Sequence, residues 1–177
     1  MPTKQGNSRN RIDIKRLVTY ALLVAVCLIV GYLESLLSLT LIAVAPGVKL
    51  GLSNAVALIL VCSGDTKGAW MVNITRILLS ALLFGSAISL VFALAGGIAS
   101  LLLVSVIARF KSVSAIGISI ASGTVHNVFQ CVAATVFVGT GVIYYLPALL
   151  LLGALCGAFC GVLAHVTLKK IKTKATF

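Results

Sequence analysis

The chain has 177 residues, of which 60% are hydrophobic and only 10% charged, with 14 Lys and Arg against 3 Asp and Glu. Globular domains average near half apolar and about a quarter charged. A soluble domain of this size could not hide so much apolar surface, so lipid is the expected solvent. A basic excess often points to nucleic acid, but here the charges flank apolar runs. The positive-inside rule and anionic headgroups account for them better, so membrane lipids are expected partners and nucleic acid is not.

The chain opens with a basic tail, residues 1–16, carrying Lys4, Arg9, Arg11, Lys15 and Arg16. Residues 17–38 form the first apolar span. Ala43-Val44-Ala45 looks like a signal-peptide cleavage site, but it lies far beyond a run already long enough to span, so the first helix is expected to be retained. Ala45-Pro46-Gly47 breaks the chain before a second span at 49–63. That span is short for about 30 Å of hydrocarbon and is expected to tilt into the protein or to begin inside the outer leaflet. Ser63-Gly64-Asp65-Thr66-Lys67 is a polar turn. The third and fourth spans, 67–84 and 86–109, meet at Gly85-Ser86. Arg109-Phe110-Lys111 closes the fourth. The fifth, 114–139, ends at Gly139-Thr140-Gly141, and the sixth covers 143–168. A second basic tail, residues 169–177, holds Lys169, Lys170, Lys172 and Lys174. The expected fold is therefore an all-α membrane bundle of six helices, residues 17–168, with no soluble domain.

Charge fixes the expected orientation. With both termini inside, the cytoplasmic segments hold 12 of the 14 Lys and Arg. Lys49 alone lies in an exterior connection, and Arg76 lies within the third span.

Three features point inward. Arg76 is the one fixed charge deep in a span and shares a helix face with Asn73 and Ser80. Intramembrane ionisable groups are functional candidates by default, although a Glu34–Arg76 or Glu34–Lys49 ion pair is an equally direct reading. On the fifth span, Ser119, Gly123, His126, Asn127 and Gln130 recur at helical spacing, and Val125, Val128 and Val132 take the other side. Hydrogen-bonding groups at this depth avoid lipid, so they line a ligand site or a helix–helix network. Small residues also recur: Ala21 and Ala25 on the first span; Ser86, Ser89, Ala93, Gly96, Gly97 and Ser100 on the fourth; Gly153, Gly157 and Gly161 on the sixth. Such stripes let backbones approach closely. The glycines of the sixth span are expected to pack internally. Ala21 and Ala25 serve either internal packing or the docking of another subunit.

The chain carries no phosphate-binding loop, no Asp-rich pair for magnesium and diphosphate, and no Ser/His/acid or zinc constellation. The five cysteines read as apolar packing residues. Catalysis, a metal and a cofactor are therefore not expected. Proton coupling through His126 is disfavoured by the scarcity of carboxylates.

Several stretches resemble one family. Pro46-Gly47-Val48-Lys49-Leu50-Gly51-Leu52-Ser53-Asn54, Arg76 to Gly85, Ala95-Gly96-Gly97, Gly123 to Gln130 and Tyr144-Tyr145-Leu146-Pro147 look like the Gx transporter family, often labelled heptaprenyl diphosphate synthase component I. That family is similar to the substrate-binding S-components of energy-coupling-factor vitamin transporters. Those are six-helix proteins that work with a coupling membrane subunit and two ATPases. The resemblance implies a multi-pass protein of a prokaryotic plasma membrane that binds a small polar or anionic compound (a vitamin, a flavin, or an isoprenoid or quinone precursor). Lys49, Arg76, His126, Asn127 and Gln130 are the candidate substrate contacts, in a site built from the 39–50 connection and helices three to six. Ala21 and Ala25 match the family's docking surface for the coupling subunit. The alternative is a non-catalytic membrane subunit that accompanies a prenyl diphosphate synthase or a flavin or quinone electron-transfer system.

Overall fold

A computed structural model describes residues 14–41, 51–110 and 113–174, the side chains of 37–41 and 172–174 excepted. The described residues fold into α1 (Ile14–Leu41), α2 (Leu52–Cys62), α3 (Thr66–Phe84), α4 (Ala87–Ile107), α5 (Ala115–Val138), a 3₁₀ turn (Thr140–Tyr145) and α6 (Leu146–Lys174). Five of these helices are long and apolar enough to cross a membrane. Their large side chains point outward: Leu22, Ile29, Leu82, Val136 and Leu151 are all exposed. Outward-facing leucine and valine suit a protein whose solvent is hydrocarbon.

The helix ends follow local chemistry. Asp65 caps α3 by accepting the Gly68 N–H at 3.0 Å. Ser86 and Ser89 form a reciprocal capping box that starts α4 immediately after the Gly85 break. Ser114 caps α5 through the Gly117 N–H. Each cap satisfies backbone donors that a helix start leaves open.

The far end of α6 outruns the sequence expectation, whereas α2 is short and begins inside the bundle, as its sequence indicated. The sixth helix runs past Leu168 to Lys174, so it continues into the basic tail. More consequentially, α2 has 11 residues, or about 16 Å at 1.5 Å per residue. That is roughly half the hydrocarbon thickness, so this helix does not cross by itself. Its first residue, Leu52, donates its N–H to Glu34 Oε1, well along α1. At its far end the Tyr20 hydroxyl of α1 donates to Asp65, in the turn that follows α2. The short helix therefore starts inside the bundle and runs antiparallel to α1 toward the basic end of the molecule. It is also the centre of the fold, since α2 touches every other α-helix.

The basic end is the dry one. Ala57, Leu58 and Val61 of α2 pack there with Ala69, Leu101, Val104, Ile118 and Ala164. A second cluster, Val24, Cys27 and Val72, joins α1 to α3. The longest seam joins α5 to α6, and glycines set its spacing. A Cβ on Gly123 would stand 2.5 Å from the Gly153 carbonyl oxygen, one on Gly157 would stand 2.7 Å from that of Ser119, and one on Gly161 would stand 2.7 Å from Ile116 Cα. The Gly153, Gly157 and Gly161 stripe is thus internal packing, as its spacing indicated.

The Tyr20 contact depresses the Asp65 carboxyl below the usual carboxylate range. The hydrogen bond from Tyr20 contributes most, and the Gly68 N–H adds to it. A carboxylate whose folded value is lowered contributes stability at pH above its unfolded value, near 3.9, and loses it as pH falls through the folded value. Acidification through that window should therefore loosen the α1–α3 contact. Hydrogen exchange of α1 amides in detergent should rise there in the wild type. In Asp65→Asn it should be raised at neutral pH and flat across the same window.

Candidate functional site

The half of the bundle away from the basic end is built around a polar cavity of about 510 Å³. Its walls come from α1 (Gly31, Glu34, Ser35), the start of α2 (Ser53, Asn54), α3 (Arg76, Ile77, Ser80, Ala81), the α3–α4 break (Gly85, Ser86), α4 (Ser89, Ala93) and α5 (His126, Gln130). The α6 helix does not line it. This corrects the expected frame of helices three to six: α1 and α2 contribute instead. Lys49 lies outside the described residues, as does most of the 39–50 connection.

The floor of the cavity exists because α2 begins in mid-bundle. Gly51 enters that helix with φ 72°, in the left-handed region that glycine occupies without strain. Gly51 has no side chain to cap the helix, and the Glu34 carboxylate of α1 takes the Leu52 N–H. A negative group there also suits the positive end of the helix dipole.

Arg76 then locks α3 to that helix start. Its Nη1 donates to Ser53 Oγ at 2.8 Å and its Nη2 to Asn54 Oδ1. Asn73 Oδ1 receives both Nε, at 3.1 Å, and Nη2, at 2.9 Å. Asn73 in turn donates from Nδ2 to the Gly97 carbonyl at 3.2 Å, which ties the network to α4. Four of the five guanidinium N–H groups are used, and every acceptor is a neutral side chain. Glu34 lines the same cavity. Among the described residues one Nη1 hydrogen has no acceptor, so Arg76 organises the floor as much as it presents a charge.

The polar stripe of α5 divides. His126 and Gln130 line the cavity. The ring of His126 rests on Gly96, where a Cβ would lie 2.9 Å from its Cε1. Among the described residues the Gln130 carboxamide has no hydrogen-bond partner, which leaves it open to a ligand. Asn127 turns away from the cavity. It is buried and donates from Nδ2 to the Leu149 carbonyl of α6 at 2.7 Å. Ser119 and Gly123 likewise face α6. The α5 face is therefore half binding surface and half helix–helix contact. The stripe on α4 divides the same way, with Ser86, Ser89 and Ala93 lining the cavity and Gly96, Gly97 and Ser100 buried.

Sequence reasoning passed over Ser53 and Asn54 as site residues. Their signal was a Ser-Asn pair at the head of an otherwise apolar segment, the kind of intramembrane polar pair that needs a partner. Ala21 and Ala25 are both exposed. They line an apolar groove of about 370 Å³ between α1 and α3, with Leu17, Leu28, Met71 and Leu79. Internal packing does not explain them. Among the described residues no three His, Cys, Asp or Glu side chains gather into a metal site.

An all-α bundle with five membrane-length helices around a half-depth sixth, holding a polar chamber at one end, is a multi-pass membrane protein. The sequence matches heptaprenyl diphosphate synthase component I over residues 23–167, and the chain belongs to that family. No match was found among curated proteins or among solved structures.

Proposed function

We propose that this chain is the substrate-capture subunit of an energy-coupling-factor-type importer for a small polar or anionic compound. The observation that carries this reading is the polar chamber. Its volume lies within the roughly 300–1,000 Å³ of small-molecule sites, it is walled by five helices, and it contains Arg76, Glu34, His126 and Gln130. The chain's basic residues favour placing both termini in the cytoplasm, with the chamber on the outer side of the plasma membrane; the prokaryotic setting rests on the family resemblance. The chain itself performs no catalysis in this scheme. Energy comes from two ATPases through a coupling membrane subunit, which docks on the exposed α1–α3 groove.

Docking gives the test. Ala21→Leu and Ala25→Leu place a branched side chain over a groove that needs close backbone approach. Both variants should purify folded, with wild-type melting, and recover on the order of tenfold less coupling subunit on affinity purification from native membranes. Recovery of a prenyl synthase or an electron-transfer partner in place of ATPases and a coupling subunit would support the second reading, a non-catalytic membrane anchor. Its support is the family's own description as a synthase component.

A further inference from the structure

A second chamber adjoins the polar one. It has a volume of about 250 Å³ and lies between α4, α5 and the 3₁₀–α6 entry, walled by Phe92, Cys131, Ala134, Val142, Tyr145 and Leu149. Its lining is mostly apolar, with Asn127, Gln130 and the Tyr145 phenol as the polar exceptions. Asn127 is already committed to α6 through the Leu149 carbonyl. Gln130 lines both chambers, and its carboxamide has no partner among the described residues. The two chambers thus meet at one side chain, which offers hydrogen bonds at the point where a polar surface becomes an apolar one.

The apolar chamber is smaller than the roughly 300 Å³ at which sites for whole drug-sized ligands begin. It suits a branch of a ligand better than a complete one. Its position, sharing the Gln130 side chain with the polar cavity, points to the kind of ligand. We infer that the captured compound is amphipathic, with its polar head beside Arg76 and His126, a short apolar tail between Phe92 and Tyr145, and Gln130 holding the atoms at the junction. The inference rests on the capture reading above and narrows its substrate class: a compound polar throughout would leave the second chamber unused.

The test uses two homologous series, n-alkyl phosphates and n-alkyl glucosides of one to eight carbons, with the full chain in lipid nanodiscs and thermal stabilisation as the readout. Each methylene moved from water into the apolar chamber should tighten binding about fourfold, until the chamber is full and the gain stops. Ala134→Phe fills the chamber and should abolish the dependence on chain length while leaving the one-carbon members of the series as stabilising as before. Val138→Trp, which covers the same chamber from its exposed rim, repeats the test should Ala134→Phe fail to fold. Nonspecific partitioning into the lipid is equal in wild type and variants, so it cancels. Binding that is the same at every chain length, or a chain-length dependence that survives both fillings, overturns the amphipathic assignment and leaves the polar site standing. The first of these is the result expected if a bilayer acyl chain already occupies the chamber. Failure of every member of both series to stabilise the wild type overturns the polar capture site together with the inference.

Discussion

Replacing Gly123 with alanine is expected to lower thermal stability by about 2 kcal/mol, and replacing it with leucine to abolish accumulation of folded protein. The reason is geometric. The added Cβ would stand 2.5 Å from the Gly153 carbonyl oxygen and 3.4 Å from Gly157 Cα. Neither neighbour is the end of a flexible side chain, so the helices themselves must part. Inserting one carbon into a close-packed interface costs about 1–3 kcal/mol, and lipid provides no hydrophobic drive to close the gap again. The effect should spread, because α5 also carries His126 and Gln130. Gly141 is the control: nothing lies within 4 Å of a Cβ added there, and Gly141→Ala should stay within about 0.5 kcal/mol of wild type. Thermal unfolding in a mild detergent measures both. Equal melting of the two variants would mean that the α5–α6 glycines are not what sets the seam.

Arg76→Ala is expected to cost about 3 kcal/mol. Four charge-assisted hydrogen bonds disappear, and Ser53, Asn54 and Asn73 lose their common donor. Hydrogen bonds to charged groups are worth about 1.5–3 kcal/mol each, but water in the cavity can replace part of that, so the total stays well below their sum. Lysine is a poor substitute, since it keeps the charge without the planar fork that reaches α2 and Asn73 together. Arg76→Lys should recover at most half of the loss. Coupling identifies the mechanism: Asn73→Ala should cost much less in the Arg76→Ala background than in the wild type. Strictly additive losses would show that the guanidinium does not hold α2 against α3. The same variants should bind ligand poorly, because the floor of the cavity is the object being dismantled. Gln130, which makes no hydrogen bond to the described residues, is the cleaner probe of recognition alone.

The expectation of a single polar face on α5 was half right, and the reason is instructive. Helical spacing puts Ser119, Gly123, His126, Asn127 and Gln130 within one broad sector. A sector that wide meets two neighbours at once in a bundle. One edge met a cavity and the other met the glycines of α6, and no periodicity in α5 alone records which. The same limit applies to Arg76. Its depth and its isolation as a charge were legible, but its partners Ser53 and Asn54 lie on a different helix.

The sequence by itself determined the membrane environment, the number of helices and, the far end of α6 excepted, their boundaries to within about three residues. Those follow from local causes: apolar runs measured against the thickness of hydrocarbon, and caps and glycines at the breaks. It also marked the α6 glycines as a packing seam, because a repeated absence of side chains has little other use in lipid. Only the tertiary structure decided that α2 is a central half-length helix, with its N-terminus held in mid-bundle by Glu34 and Arg76. Only the tertiary structure decided, too, that Asn127 serves α6 while Gln130 serves the cavity. The physical reason is that a buried polar group is stable wherever it finds a partner, and the partners of Glu34 and Asn127, and those of Arg76 on α2, are 18, 22 or 23 residues away along the chain.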